Sequence, residues 1–417
     1  MTILNKYLGN IEIGKQRFWL ILIIALVIAG SKGFEYVNWP FGNMLYSSII
    51  ALLSIICVLN YKGFYKQHFK TIVLLFMILP FLSIINSSII YGQPVFIGMR
   101  ANFSMAFGWI MYFILHIFKV KEKTILKALL FISSFIAIVM IIQQFTYPYA
   151  FFGVITEDRM ISHGLNEIAD TRNGLWRFRM NIDMYYTAPI LFFMLTMIKQ
   201  KKYDTNVLFY FVLLLVSVYL SLTRQVIFAT IVTIVFSFFI NNKSLNIGYY
   251  VLLLLFGILL YYNYDVLFGE LSETTSNDLN NDNIRVYAAS YLWSDAIKNF
   301  STFLLGYGVP GDEGMFHNYV ERLQDMGIYV VDVGFIGMTW RYGIIYVLLS
   351  YYLLFYIFFK IKDEAPMYAR LFVVFVFVMS IMIFPFGAQP IMTMVWPLLL
   401  YICDLRINKS QLALQTL

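Results

Sequence analysis

The sequence predicts an all-α, polytopic membrane protein of about twelve transmembrane helices, with both termini cytoplasmic and one large, partly helical extracytoplasmic loop. Three observations predict it. Apolar residues make up 60% of the 417 residues and charged residues only 13%, whereas soluble domains carry about 25% charged residues. The apolar residues fall in long runs, and mean hydropathy is +0.74. The basic residues between the runs alternate strictly from one side to the other. This composition excludes a soluble globular enzyme and a disordered chain. The 40 Phe and 31 Tyr suit lipid-facing surfaces with interfacial rings. Cys57 and Cys403 both lie in apolar runs and offer neither a disulfide framework nor metal spacing.

A bilayer core of about 30 Å needs about 20 apolar residues per helix. Runs of this kind cover residues 18–36, 41–59, 71–90, 96–118, 125–146, 184–198, 205–222, 225–240, 247–263, 334–359, 369–385 and 388–403. The first follows Lys6, Lys15 and Arg17 and resembles a secretory signal. The spans that follow make it a start-transfer anchor instead. The chain therefore reads as a single integral membrane domain over 1–417.

Orientation follows from the short loops. Lys6, Lys15 and Arg17 share a side with Lys62, Lys66 and Lys70, then with Lys119, Lys121, Lys123 and Lys127. The same side holds Lys199, Lys201, Lys202, Lys243, Lys360, Lys362, Arg370, Arg406 and Lys409. The net charge of +7 thus reads as topology first, and both termini are expected in the cytoplasm. Two long loops, 147–183 and 265–333, fall on the opposite side. No internal repeat is visible, and the two halves differ.

The cytoplasmic set contains 16 Lys and 3 Arg, whereas the remainder is Lys32, Lys298 and 9 Arg. Topology needs only positive charge, so a preference for guanidinium outside asks for another cause. Arginine presents a planar fork that grips phosphate or carboxylate with two bonds and stays charged when desolvated. Outward arginines therefore suit a diphosphate at the membrane surface. The other reading is pairing with loop acids such as Glu157, Asp158, Glu167, Asp170 and Asp183. Arg100, Arg224 and Arg341 stand at or inside the start of a span. A charge there costs up to about 2.5–3.5 kcal/mol and usually points to a cavity. Snorkelling to the headgroups is the alternative, above all for Arg100.

The larger outer loop opens with a polar, turn-prone stretch over 271–283 and then predicts a helix over 284–300. Val286, Ala289, Trp293, Ile297 and Phe300 recur there at helical spacing. The stripe suits a helix lying on the outer leaflet, or one packed on the bundle. Arg285 opens this helix, whose N-terminus already favours anions. Residues 304–314 follow, rich in Gly and Pro, and Gly306 and Gly308 allow close backbone approach to a ligand. It is no Walker loop, because no Gly-Lys-Ser/Thr follows. His317 stands next on the arginine side, with Asn318 as an orienting neighbour, and histidine is the side chain best placed to move a proton near neutrality. No metal-ligand spacing and no nucleophile elbow is present, so no metal or other cofactor is expected. Nucleic acid is disfavoured as a partner because the basic residues are split across two membrane faces.

Together these residues resemble the O-antigen polymerase and O-antigen ligase superfamily of bacterial membrane glycosyltransferases. Leu222-Thr-Arg-Gln-Val-Ile-Phe-Ala229 opens a span as the family's Ser/Thr-Arg signature does. Trp176-Arg-Phe-Arg179 precedes a span as the conserved arginine of the first outer loop does, and either Arg177 or Arg179 is its equivalent. Arg285, Trp293 and Gly306-Tyr-Gly308 resemble the family's Arg…Trp…Gly-x-Gly run. His317-Asn318, followed by Gly327 and Gly334, resembles its His-Asn…Gly segment. The likeness covers about 170–345.

The resemblance implies a metal-independent enzyme of the inner membrane with its site on the periplasmic side. Its donor is an oligosaccharide on polyprenyl diphosphate, such as undecaprenyl diphosphate. Arg177 or Arg179, Arg224, Arg285 and, less firmly anchored in the motifs, Arg341 would hold the diphosphate. His317 would act as base or position the acceptor. Polysaccharide polymerisation is the first expectation, since the motifs match loosely, as in the diverse polymerases. The alternatives are ligation of finished glycan to a lipid core in lipopolysaccharide biosynthesis, and a flippase or transporter. Membrane lipids, a chain-length regulator and a flippase are the implied partners.

Overall fold

A computed structural model describes residues 14–30, 42–60, 67–147, 149, 152, 169–172, 174–178, 184–240, 284–384, 386–387 and 390–415. Its helices are α1 (Lys15–Gly30), α2 (Gly42–Leu59), α3 (Lys70–Tyr91), α4 (Val95–Gly108), α5 (Ile110–Phe118) and α6 (Glu122–Thr146). A short hairpin, β1 (Ala169–Arg172) and β2 (Leu175–Phe178), precedes α7 (Met184–Lys199), α8 (Thr205–Leu220) and α9 (Arg224–Ser237). Then follow α10 (Ile284–Ala296), α11 (Phe300–Leu305), α12 (Met315–Asp325), a 3-10 turn (Val330–Val333), α13 (Gly334–Phe355), α14 (Met367–Met379) and α15 (Pro390–Gln415).

Every apolar run read from the sequence overlaps a described helix, except 247–263, which lies outside the described residues. The expected set of about twelve full spans is nonetheless not what the described helices provide. Three are long and apolar enough to cross a membrane: Lys70–Tyr91, Glu122–Thr146 and Val330–Lys360. Val95–Gly108 with Ile110–Phe118 pass together as a pair bent by 41°. Leu45–Leu59, Met184–Lys199, Thr205–Leu220, Arg224–Ser237 and Met367–Met379 are apolar but shorter.

The shortening has local causes. α14 stops at Met379, whose carbonyl takes the Met382 and Ile383 N–H groups into a tight turn. α9 cannot start before Arg224, because buried Leu222 sits at φ 46°. A branched residue held left-handed costs about 1–2 kcal/mol and persists only where its surroundings impose it.

α7 is the centre of the bundle. Its side chains from Met184 to Met197 are buried on every side, because α6, α8 and α14 enclose it. A helix apolar all round belongs in such a place. Beside it Phe76 stacks on Trp109 at 4.5 Å, and Phe386 stacks on Trp396 at 4.3 Å. Such pairs contribute about 0.5–1.5 kcal/mol each beyond area burial. That matters where lipid is as apolar as leucine and burial alone drives little association. The outer surface is apolar in turn. Ile78, Ile85 and Ile89 of α3, and Phe131, Ile138 and Phe145 of α6, are exposed at helical spacing, as a lipid-facing girdle requires.

A second, smaller core caps one end of the bundle. α10, α12, the 3-10 turn and the start of α13 close around Leu292, Tyr307, Phe316, Leu323, Ile328 and Trp340. Toward the far end of α13, buried Asp404 accepts the Tyr112 hydroxyl at 2.6 Å and lies 3.0 Å from His116 Nε2. Tyr356 of the same end meets the His68 ring at 2.5 Å.

The hairpin within 147–183 was expected only as loop. Its strands are antiparallel, with Thr171 opposite Trp176. Gln144 of α6 pins it by accepting the Trp176 N–H at 2.9 Å and donating to the Trp176 carbonyl at 2.5 Å.

Candidate functional site

α13 is not one continuous helix. Gly343 interrupts it at φ 82°, ψ 166°, which frees the carbonyls of the preceding turn from their i→i+4 partners. The glycine segment supplies replacements. Tyr307 N–H donates to the Trp340 carbonyl at 2.8 Å, and Gly308 N–H donates to the Arg341 carbonyl at 2.7 Å. Only glycines allow this approach. A Cβ on Gly306 would stand 2.4 Å from the Arg341 carbonyl group, and one on Gly343 would stand 2.0 Å from the Leu304 oxygen. Gly306 and Gly308 thus approach the broken helix closely. Asn86 of α3 holds the turn from below by donating to the Gly306 carbonyl at 2.8 Å.

Arg341 sits beside this break. Its Nη1 reaches only the Gly387 carbonyl, at 3.4 Å, and its buried Nε has no hydrogen-bond partner among the described residues. No described carboxylate lies within ion-pair distance of it. Arg341 is half-buried, and leaving its Nε dry without a partner is costly unless something else completes it.

The turn after α14 gathers two more arginine-bearing segments. Met382 Sδ lies 4.0 Å from Arg285 Nη1 and 2.9 Å from Gln225 Nε2, the neighbour of Arg224. The Met382 carbonyl accepts the Gly334 N–H at 2.8 Å. Met382 thus meets Arg285 and the neighbour of Arg224, and Gly387 meets Arg341, residues far apart in sequence. Arg285 is the second residue of α10, and Arg224 is the first of α9; both are half-buried.

Arg177 lies in β2, half-buried and opposite Asp170 in the hairpin register. Arg179 lies outside the described residues. Arg100 is not part of the gathering: its side chain is 75% exposed, 3.9 Å from Asp312.

His317 is held on α12 by two acceptors. Nδ1 lies 3.0 Å from the Gly311 carbonyl oxygen, and Nε2 lies 3.1 Å from Glu321 Oε1. Gly311 is itself fixed, since its N–H donates to buried Gln93 at 2.9 Å. Asn318, expected to orient the ring, is exposed; Gly311 and Glu321 stand where that role is served. To take a proton, the imidazole must release one acceptor.

Two residues that matter here escaped the sequence reading. Glu321 follows His317 by one helical turn, a spacing visible in the sequence. Asp295 is buried in the cap with Ala288, Leu292 and Ala296 on one face of α10. An acid on a small-residue apolar stripe was the available signal. The stripe read from sequence is the opposite face: Val286, Ile297 and Phe300 are exposed, Phe300 by 77%. That face is exposed, while Ala288, Leu292, Asp295 and Ala296 pack against the cap.

Compared with known proteins, the chain matches no family model and no curated protein.

Proposed function

We propose that this chain is a metal-independent glycosyltransferase that joins oligosaccharide repeat units carried on polyprenyl diphosphate at the outer face of the bacterial inner membrane. One observation carries the reading: segments bearing Arg224, Arg285 and Arg341 meet around the turn from Met382 to Gly387, and Arg341 stands at a helix break with its Nε unpartnered among the described residues. Broken helices with buried cations mark substrate sites in membrane proteins. Guanidinium forks fit phosphate oxygens in pairs. The resemblance to the O-antigen polymerase and ligase superfamily supports the same donor.

In this reading the arginines hold the diphosphate and stabilise the charge it gains as the glycosidic carbon–oxygen bond breaks. The acceptor hydroxyl oxygen forms the new bond to that carbon. Its proton passes to His317, after Nε2 leaves Glu321. The exposed apolar face of α10 rests on the leaflet from which the donor arrives. The proposal includes about twelve spans, the shorter helices crossing where the bilayer thins locally and flanking residues snorkel, with both termini in the cytoplasm.

Purified protein in nanodiscs, given lipid-linked repeat units and no nucleotide sugar, is expected to produce a ladder of longer lipid-linked glycans. No elongation under any acceptor condition would sink the reading. A deletion strain separates the polymerase from a ligase. The polymerase leaves single capped repeat units when lost, whereas a ligase leaves full-length polymer on the lipid carrier.

A further inference from the structure

We propose that the buried Asp295 carboxylate is a positioning residue that sets the relative placement of Arg285, His317 and Arg341 by tying together the three helices that carry them. Asp295 is 5% exposed. Its Oδ2 accepts the Trp340 indole N–H at 2.9 Å and the Tyr319 hydroxyl at 3.2 Å. Its Oδ1 accepts the Lys298 ammonium at 3.0 Å, and its backbone carbonyl accepts the Tyr307 hydroxyl at 3.2 Å.

Each partner adjoins a residue of the candidate site. Trp340 immediately precedes Arg341 on α13. Tyr319 lies two residues beyond His317 on α12. Tyr307 separates Gly306 from Gly308 in the turn that mends the break of α13. Asp295 itself shares α10 with Arg285. Tyr291 of α10 reinforces the tie through the Tyr319 hydroxyl, at 3.3 Å. The aromatic rings around it leave little slack: Tyr307 and Trp340 are 5.0 Å apart, and Tyr91 stacks on Phe316 at 4.7 Å.

The chemistry favours a carboxylate over any neutral group. A charged acceptor makes hydrogen bonds about twice as strong as a neutral one. It also serves donors from three directions at once, which an amide with a single oxygen does less well. Asp295 contacts none of the reacting atoms in this reading; it acts through the helices it joins. Because the effect on turnover rests on the function proposed above, the geometry is measured separately from activity.

The experiment places nitroxide labels at exposed Ser290 on α10 and Gln324 on α12, with buried Cys57 and Cys403 left in place. Pulsed electron resonance in nanodiscs then reads the distance between the two helices. The unsubstituted residue 295 should give one narrow distribution. Asp295→Ala should broaden it, and Asp295→Asn, which keeps one oxygen, should restore much of the narrowness. Trp340→Phe keeps the carboxylate and removes one donor, and should broaden the distribution less than Asp295→Ala. Should the alanine variant fail to reach the membrane, the phenylalanine variant carries the test. An unchanged distribution in whichever variant folds overturns the proposal.

Turnover of lipid-linked repeat units by folded Asp295→Ala should fall by about 100-fold, as small misplacements do, with KM changed far less than kcat and with partial rescue by Asp295→Asn. Equal losses of activity and of folded protein would reduce Asp295 to a fold-holding role and also overturn the proposal. A broadened distribution with no glycan elongation by any form of the protein would keep the tie and sink the enzymatic reading instead.

Discussion

Arginine and lysine carry the same charge, and the difference between them is what Arg341 tests. Lysine offers a point charge where arginine offers a fork. Arg341→Lys and Arg285→Lys are each expected to insert normally and to lose about 100-fold or more in turnover, read by elongation of lipid-linked glycan. Full activity in both would remove the diphosphate role. The protons of the cap make a second test. Its bond to Asp295 raises the Lys298 ammonium, burial pushes the Tyr307 hydroxyl up to about 12, and burial raises Tyr319 as well. All three hold protons more tightly in the folded cap than in an unfolded chain. Their contribution is therefore complete below about pH 10, where free tyrosine begins to ionise. It is lost as pH rises from there through about 12. Tryptophan fluorescence should report the cap loosening in that alkaline window, and a loosening that instead began on acidification would contradict this. Arg224 was readable as a candidate because charge at a span's edge is conspicuous, and Arg285 because it opens the helix of the large outer loop. Asp295 was harder to read: an acid on a small-residue stripe is a signal, but nothing in the sequence says that Tyr319 and Trp340 of two other helices donate to it.

The glycines of the cap act through helix contacts. At Gly343 the backbone is left-handed and the Leu304 oxygen already fills the place of a side chain. Gly343→Ala is expected to cost about 2–3 kcal/mol, from backbone strain together with the displaced α11 turn. Thermal unfolding in detergent should show a lowered midpoint, and an unchanged one would mean that α13 can straighten at no cost. The helices themselves were readable, since apolar runs of this length have few other outcomes. Their ends were not. α14 stops at Met379 because the turn after it must reach α9, α10 and α13 together, a demand that no local pattern states. The hairpin did carry a signal: Asn173-Gly174 joins its two strands, and that dipeptide favours a two-residue turn. It went unread because the surrounding charges suggested plain loop. The helix expected over 284–300 is present as α10, but the turn before α11 ends it at Ala296. Its polarity was ambiguous in sequence, since the two faces differ only in the size of their apolar residues.

Topology concerns the molecule entire. The proposed topology, with both termini in the cytoplasm, rests on the lysine-rich loops and the positive-inside rule. Reporter fusions after residues 66, 122 and 200 should therefore be active as cytoplasmic reporters, and a fusion after residue 313 as a periplasmic one. The reverse pattern at 313 would put the arginine gathering on the wrong face for a flipped donor. Arrangement was the least readable level. Charge counting bears on the proposed side of the membrane, but which segments meet depends on packing between runs that look alike in composition. The arginine segments come together through Met382, an unremarkable methionine in the sequence.

α13 belongs to both cores: Trp340 packs in the cap, while Met338 and Tyr342 pack in the bundle. This has a bearing on biogenesis. In the proposed topology α10 emerges well ahead of Trp340 during synthesis, and Asp295 reaches the outer face before the indole that will hold it has left the ribosome. The cap therefore closes late, when α13 enters the lipid and draws the waiting carboxylate onto itself. A nascent chain stalled before that moment would display an open, protease-sensitive cap, with α14 and α15 still to join the bundle.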